Sequence, residues 1–73
     1  MRISEFRFAV AEEFGEVHGR ALVREMSLGD LKGLTAEEGL AAGRPPAAVW
    51  AALCRETDVP IERWHGRGLP DPE

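Results

Sequence analysis

Between Thr35 and Pro46 the chain carries a helix start, a helix stop and a second helix start in close succession. This punctuation constrains the fold more than any other feature. Thr35 and Glu38 stand in the T-x-x-E spacing of a capping box, in which each side chain satisfies the other residue's free backbone N–H. Gly43 suits the left-handed conformation that ends a helix. Pro45 and Pro46 follow, and a proline in the first helical turn loses no hydrogen bond, because its missing N–H would have had no partner there. The sequence therefore predicts a short helix over 35–42 and another over 46–57. Val49, Trp50, Leu53 and Cys54 form the inward face of the second, and Asp58, Val59 and Pro60 end it.

The rest of the chain reads as helix and turn. No segment alternates cleanly with period two, β-branched residues are scattered, and there is no tyrosine, so no strand is expected. Ile3, Phe6, Val10 and Phe14 fall at helical spacing, and Ser4 is placed to cap a helix over 4–14. Gly15 interrupts the pattern, and Val17, Ala21, Leu22, Val23 and Met26 carry a helix over 16–26. The apolar phase Phe14, Val17, Ala21 runs on across the glycine, which makes one long kinked helix the alternative. A glycine after an aromatic residue favours a break. SLGDLKG is a turn, with Leu28, Leu31 and Leu34 as inward anchors. The expected fold is all-α: a small compact bundle of four short helices with a helix-turn-helix-like C-terminal pair. Its expected core is Phe6, Val10, Phe14, Leu22, Leu31, Leu40, Val49, Trp50 and Leu53. One helical domain is expected over 1–60, and the glycine- and proline-rich segment 61–73 as a mobile tail.

Several motifs in fixed order extend this reading. They are RISEF at 2–6, FG at 14–15, a leucine-glycine turn at 28–33, T..E.LAAG from Thr35 to Gly43, P..VW.A.C from Pro46 to Cys54, and VP at 59–60. Together they resemble domain-of-unknown-function family 3046, small proteins of high-GC Gram-positive bacteria, over about residues 1–63. The chain departs from the family pattern at Gly39, where alanine is usual. It also lacks the histidine that often stands near Glu25 and Met26. The resemblance implies no activity, since the family has none assigned. It does imply a genomic setting beside the recombinase and its regulator.

Composition removes several functions. With 73 residues there is room for one core, and the net charge of -4 argues against general affinity for phosphate backbones. No apolar run approaches the ~20 residues that span a membrane. MRISEFRF lacks a following apolar block and is not read as a signal peptide. The single Cys54 forms no internal disulfide, which suits a reducing cytoplasm.

Counted from Thr35, the fifth, ninth and fifteenth positions of a helix-turn-helix hold Gly39, Gly43 and Val49, as the DNA-binding template asks. Glu38 and Arg44 do not fit its fourth and tenth. A base-reading helix also needs polar side chains near its start, where this one has proline and alanine. Nucleic-acid binding is thus the alternative reading. Ala47, Ala48, Ala51 and Ala52 would let a partner helix approach closely, although alanine is also simply the best helix former. Arg44, Trp50 and Arg55 are the candidate partner contacts, although filling the core is the stronger reading of Trp50.

Cys54 would need a lowered pKa to act as a nucleophile, and a helix C-terminus disfavours that. As a zinc ligand it would join His18, His65 and an acidic residue, but no paired C-x-x-C or H-x-x-x-H is present. A buried small apolar residue is the simpler role. Glu12, Glu13 and Glu16 read as a solvated edge. No catalytic, metal or cofactor residues are assigned. The leading expectation is a non-enzymatic cytoplasmic adaptor or regulator that binds another protein. A zinc- or redox-dependent assembly through Cys54 is the second alternative. The oligomeric state is not legible in the sequence.

Overall fold

The computed structural model describes residues 1–64. Four helices run in the order α1 (Ile3–Phe14), α2 (Glu16–Glu25), α3 (Ala36–Ala41) and α4 (Pro46–Glu56), with 3₁₀ turns at Gly29–Leu31 and Ile61–Arg63. No strand occurs among the described residues, and the fold is a small all-α bundle.

α1 starts ahead of its expected cap. Arg2 holds the N-cap position, and its backbone N–H donates to Glu5 Oε1 at 2.7 Å. Ser4 therefore lies inside the first turn. A carboxylate close to the positive end of the helix favours this earlier start. Ile3, expected to face inward, is exposed, while Phe6, Ala9 and Val10 are buried.

Gly15 separates α1 from α2, so the single kinked helix does not form. Its backbone (φ 87°, ψ 157°) lies in a region essentially reserved for glycine. Its N–H donates to the Ala11 carbonyl, and its own carbonyl accepts from Gly19 N–H, both at 2.9 Å. One residue thus closes one helix and opens the next. This turn resets the apolar phase. Val17, which continues the α1 stripe in sequence, is 81% exposed, and Gly19 and Val23 face inward instead. Leu22 is only half-buried. Gly19 packs close against α1, since a Cβ there would stand 2.6 Å from Val10 Cγ1.

The turn after α2 is closed by its own backbone. Leu28 N–H donates to the Leu34 carbonyl, and Gly33 N–H to the Leu28 carbonyl, both at 2.9 Å. Leu28 and Leu31 are thereby fixed in the core, with Leu34 packed against it.

The α3–α4 pair follows its punctuation. Glu38 N–H donates to Thr35 Oγ1 at 3.1 Å, and Thr35 N–H to Glu38 Oε1 at 2.9 Å. At the other end Gly43 adopts φ 90°, and Arg44 N–H and Gly43 N–H donate to the Gly39 and Leu40 carbonyls, both at 3.0 Å. These are the two bonds of a Schellman stop. Six residues make too little helix to stand alone. α3 leans on α4, and Gly39 is buried beside Val49.

α4 supplies the largest share of the core: Val49, Trp50, Ala52, Leu53 and Cys54. The Trp50 ring meets Phe6 and Phe14 edge-on at centroid distances of 6.4 and 6.5 Å, a favoured aromatic arrangement. Phe14 and Leu40, expected in the interior, are partly buried against it. A second Schellman stop ends α4. Val59 N–H donates to the Cys54 carbonyl at 3.0 Å, and here the left-handed position is held by Asp58 at φ 60°.

Of the segment 61–73, expected as a tail, the first four residues are described. Residues 61–64 are tied to the bundle, because Trp50 Nε1 donates to the Trp64 carbonyl at 2.8 Å and Trp64 Nε1 to the Val59 carbonyl at 2.9 Å. The remainder of that segment, 65–73, lies outside the described residues.

Candidate functional site

The three candidate contacts part company. Trp50 is 2% exposed and donates its one N–H to the Trp64 carbonyl, so it is a core residue and not an exposed anchor. Arg44 and Arg55 are both exposed, one in the turn before α4 and the other in its last full turn. The 3.6-residue period places Ala47, Ala48 and Ala51 on the same side of α4 as Arg55, while Arg44 lies in the turn before the helix begins. Ala47 and Ala48 are exposed and Ala51 is half-buried. Ala52 turns under, into the core, so the alanine surface is narrower than its spacing suggested. What remains is a methyl-lined strip with Arg55 in its last turn and Arg44 in the turn that precedes it.

Arg55 is held in place. Its Nε donates to Asp30 Oδ2 at 2.5 Å, and its guanidinium lies 5.6 Å from the centre of the Trp64 ring. Next to it, Glu56 Oε1 accepts from Gly29 N–H at 3.2 Å. The end of α4, the turn at Gly29–Leu31 and Trp64 thus form one corner. A cation here also opposes the negative end of the helix dipole. Sequence reading missed Trp64 and Asp30, because both join the corner through tertiary contacts. The available signal was a lone tryptophan in an otherwise glycine- and proline-rich stretch.

The acidic edge does not stay together. Glu12 and Glu16 are exposed. Glu13 has a side chain only 5% exposed, and its Oε2 accepts from Arg63 Nη2 at 2.6 Å. Its seclusion comes from the C-terminal turn folding over it. Arg55 and Arg63 are thus each paired with a carboxylate.

Cys54 is fully buried. Burial pushes its thiol up to about 12, the nearby Glu13 charge acts in the same direction, and Arg55 opposes them. The group stays protonated at neutral pH, which is the wrong state for a nucleophile or a metal ligand. His18 is exposed on α2, and His65 lies outside the described residues. Among the described residues no group of three or more His, Cys, Asp or Glu is placed to hold a metal ion.

A separate cleft of about 360 Å³ lies among α1, α2 and α3. Val10, Ala11 and Val23 give it apolar walls, and Arg7, Arg20 and Glu37 give it charge. Arg7 grips Glu37 through both guanidinium nitrogens, with Nη2 to Oε1 at 2.9 Å. The hydrogen bonding raises the Arg7 pKa and lowers that of Glu37. The partners are thirty residues apart, so no local pattern announced them.

No helix among the described residues is long and apolar enough to cross a membrane. A family model described as "Protein of unknown function (DUF3046)" matches residues 1–62. No curated protein and no solved structure matches the chain.

Proposed function

The chain belongs to DUF3046, a family of unknown function, and we propose that it is a non-enzymatic adaptor or regulator that acts by binding another protein. The observation that carries this reading is the outer strip of α4. Ala47, Ala48 and Ala51 leave a surface on which a partner helix can lie close, with the exposed Arg44 just before the helix to meet a carboxylate and Arg55 in its last turn. Arg55 is braced by Asp30 and Trp64, so it loses little freedom on contact.

Crosslinking and pull-down from the native host test the reading. The recombinase and its regulator are the first candidates, as the genomic setting implied by the family suggests. The intact chain is expected to retain a partner that Ala48→Glu, which sets a charge in the middle of the strip, releases. Recovery of no partner, or equal recovery by the variant, refutes it. A titration with DNA fragments at low salt separates the nucleic-acid alternative, which requires saturable, salt-dependent binding.

A further inference from the structure

The turn Ile61–Arg63 and the Trp64 that follows are held by three side chains of the helical body, each gripping a different feature. The Glu13 carboxylate takes Arg63 Nη2 at 2.6 Å. Trp50 Nε1 donates to the Trp64 carbonyl at 2.8 Å. The Arg55 guanidinium stands over the Trp64 ring at 5.6 Å. Glu13, Trp50 and Arg55 lie within the 1–62 matched by the family model, while Arg63 and Trp64 lie beyond it. The body thus supplies a carboxylate, an N–H and a cation. The segment on it supplies the complements: a cation, a carbonyl and an aromatic ring.

We propose that this is a peptide-binding site occupied by the chain's own Arg63 and Trp64. A partner segment carrying an arginine followed directly by an aromatic residue takes their place. This rests on the reading of the chain as a protein binder, and gives the partner chemistry for the Arg55 end of its surface.

The asymmetry between the two sides supports the assignment. The receiving groups belong to the body: Glu13 and Trp50 sit on α1 and α4, and with the segment in place they are almost wholly secluded. A few placed polar groups in an apolar setting are what a binding site uses to fix orientation. The occupant lies at the rim, with Trp64 only partly buried against the core. Arg63 is half-exposed, and Ile61 and Glu62 are exposed. A short exposed segment of this kind opens before the core does. Its tether gives it an effective concentration of roughly millimolar, so an unlinked peptide making the same contacts competes poorly with it. A natural partner adds contacts along the α4 strip.

The test uses the full chain carrying Arg63→Ala and Trp64→Ala, which leaves Trp50 as its one tryptophan. The probe is the acetylated, amidated tetrapeptide Ile-Glu-Arg-Phe. Saturable binding is expected, read from Trp50 emission and its indole N–H resonance. By the tether argument it should be at least about tenfold tighter than to the intact chain, and it should be lost when the probe's arginine is replaced by alanine. No saturable response from a variant with intact helical circular dichroism overturns the proposal, as does equal binding of the alanine probe. Should the double variant not fold, Arg63→Ala alone is titrated and read at the Trp50 indole N–H, with the same two outcomes. A host partner captured without any peptide response removes this site but leaves the adaptor reading standing. A peptide response with no host partner supports the site and counts against the adaptor reading.

Discussion

Replacing Gly19 by alanine should destabilise the fold, while the same replacement at Gly39 should not. Both glycines are buried within helices, so both changes gain about 1 kcal/mol of helix propensity. They differ in what the new methyl group meets. At position 19 the Cβ would stand 2.6 Å from Val10 Cγ1 and 3.1 Å from the Val10 carbonyl oxygen. Comfortable carbon contacts lie near 3.5–4.0 Å, so the overlap is roughly 1 Å. Valine in a helix has one strongly preferred rotamer, and the carbonyl is backbone, so neither yields easily. α2 must move off α1, and overpacking of this kind costs about 1–3 kcal/mol. The net loss is then about 1 kcal/mol. At position 39 the closest atom is Leu31 Cδ1 at 2.8 Å, the movable tip of a side chain, and Val49 Cγ2 at 3.5 Å is an ordinary contact. The propensity gain is opposed there only by a small leucine shift, leaving a net change within about 0.5 kcal/mol of zero. Thermal and urea unfolding, followed by far-ultraviolet circular dichroism, measure both. In a domain of this size 1 kcal/mol moves Tm by about 4–8 °C. A Gly19→Ala variant as stable as the parent, or a Gly39→Ala variant losing as much as Gly19→Ala, would refute the reasoning.

Further outcomes are expected at three residues. Asp58→Gly should stabilise by about 0.5–1 kcal/mol, because the left-handed stop of α4 strains an aspartate and sets a negative charge against the helix dipole; the urea midpoint reports it. Cys54 should react with a disulfide reagent at pH 8 at least about 100-fold more slowly in the native protein than in denaturant. Since its folded pKa is raised from 9.0 to about 12, its share of stability is full below 9 and is lost as pH climbs through that window, which a Cys54→Ala comparison isolates. Glu37→Gln should cost under about 1 kcal/mol at neutral pH and less in high salt, as both partners are solvent-accessible. The Glu37 pKa is depressed, so the contribution is present above the unfolded carboxylate pKa and disappears as pH falls through the folded one; the variant's acid limb should be correspondingly flatter.

What could be read from the sequence was local. The capping box at Thr35, the glycine stop at Gly43 and the proline start at Pro46 act through neighbours in the chain, and each appears where its spacing put it. The break at Gly15 was legible for the same reason. Val17 was not, because the phase of α2 depends on the dihedral angles of that glycine, which no spacing records. The corner built from Asp30, Arg55 and Trp64 and the seclusion of Glu13 depend on segments that meet only after folding. Periodicity could mark Glu13 as lying on a helix, yet it could not reveal that Arg63 would cover it. Trp50 was legible too: filling the core was the stronger reading of an aromatic residue on that helical face, and the ring is buried.

Gly15 is the whole connection between two helices. A connection without a loop has no slack to absorb a change in length. One residue added there would turn α2 by about 100° against α1, carrying Gly19 away from Val10 and offering a different side chain at that contact between the helices. Variation in length among related chains should therefore gather in the other turns and spare this one, making the Phe14–Gly15 junction a fixed landmark for aligning them.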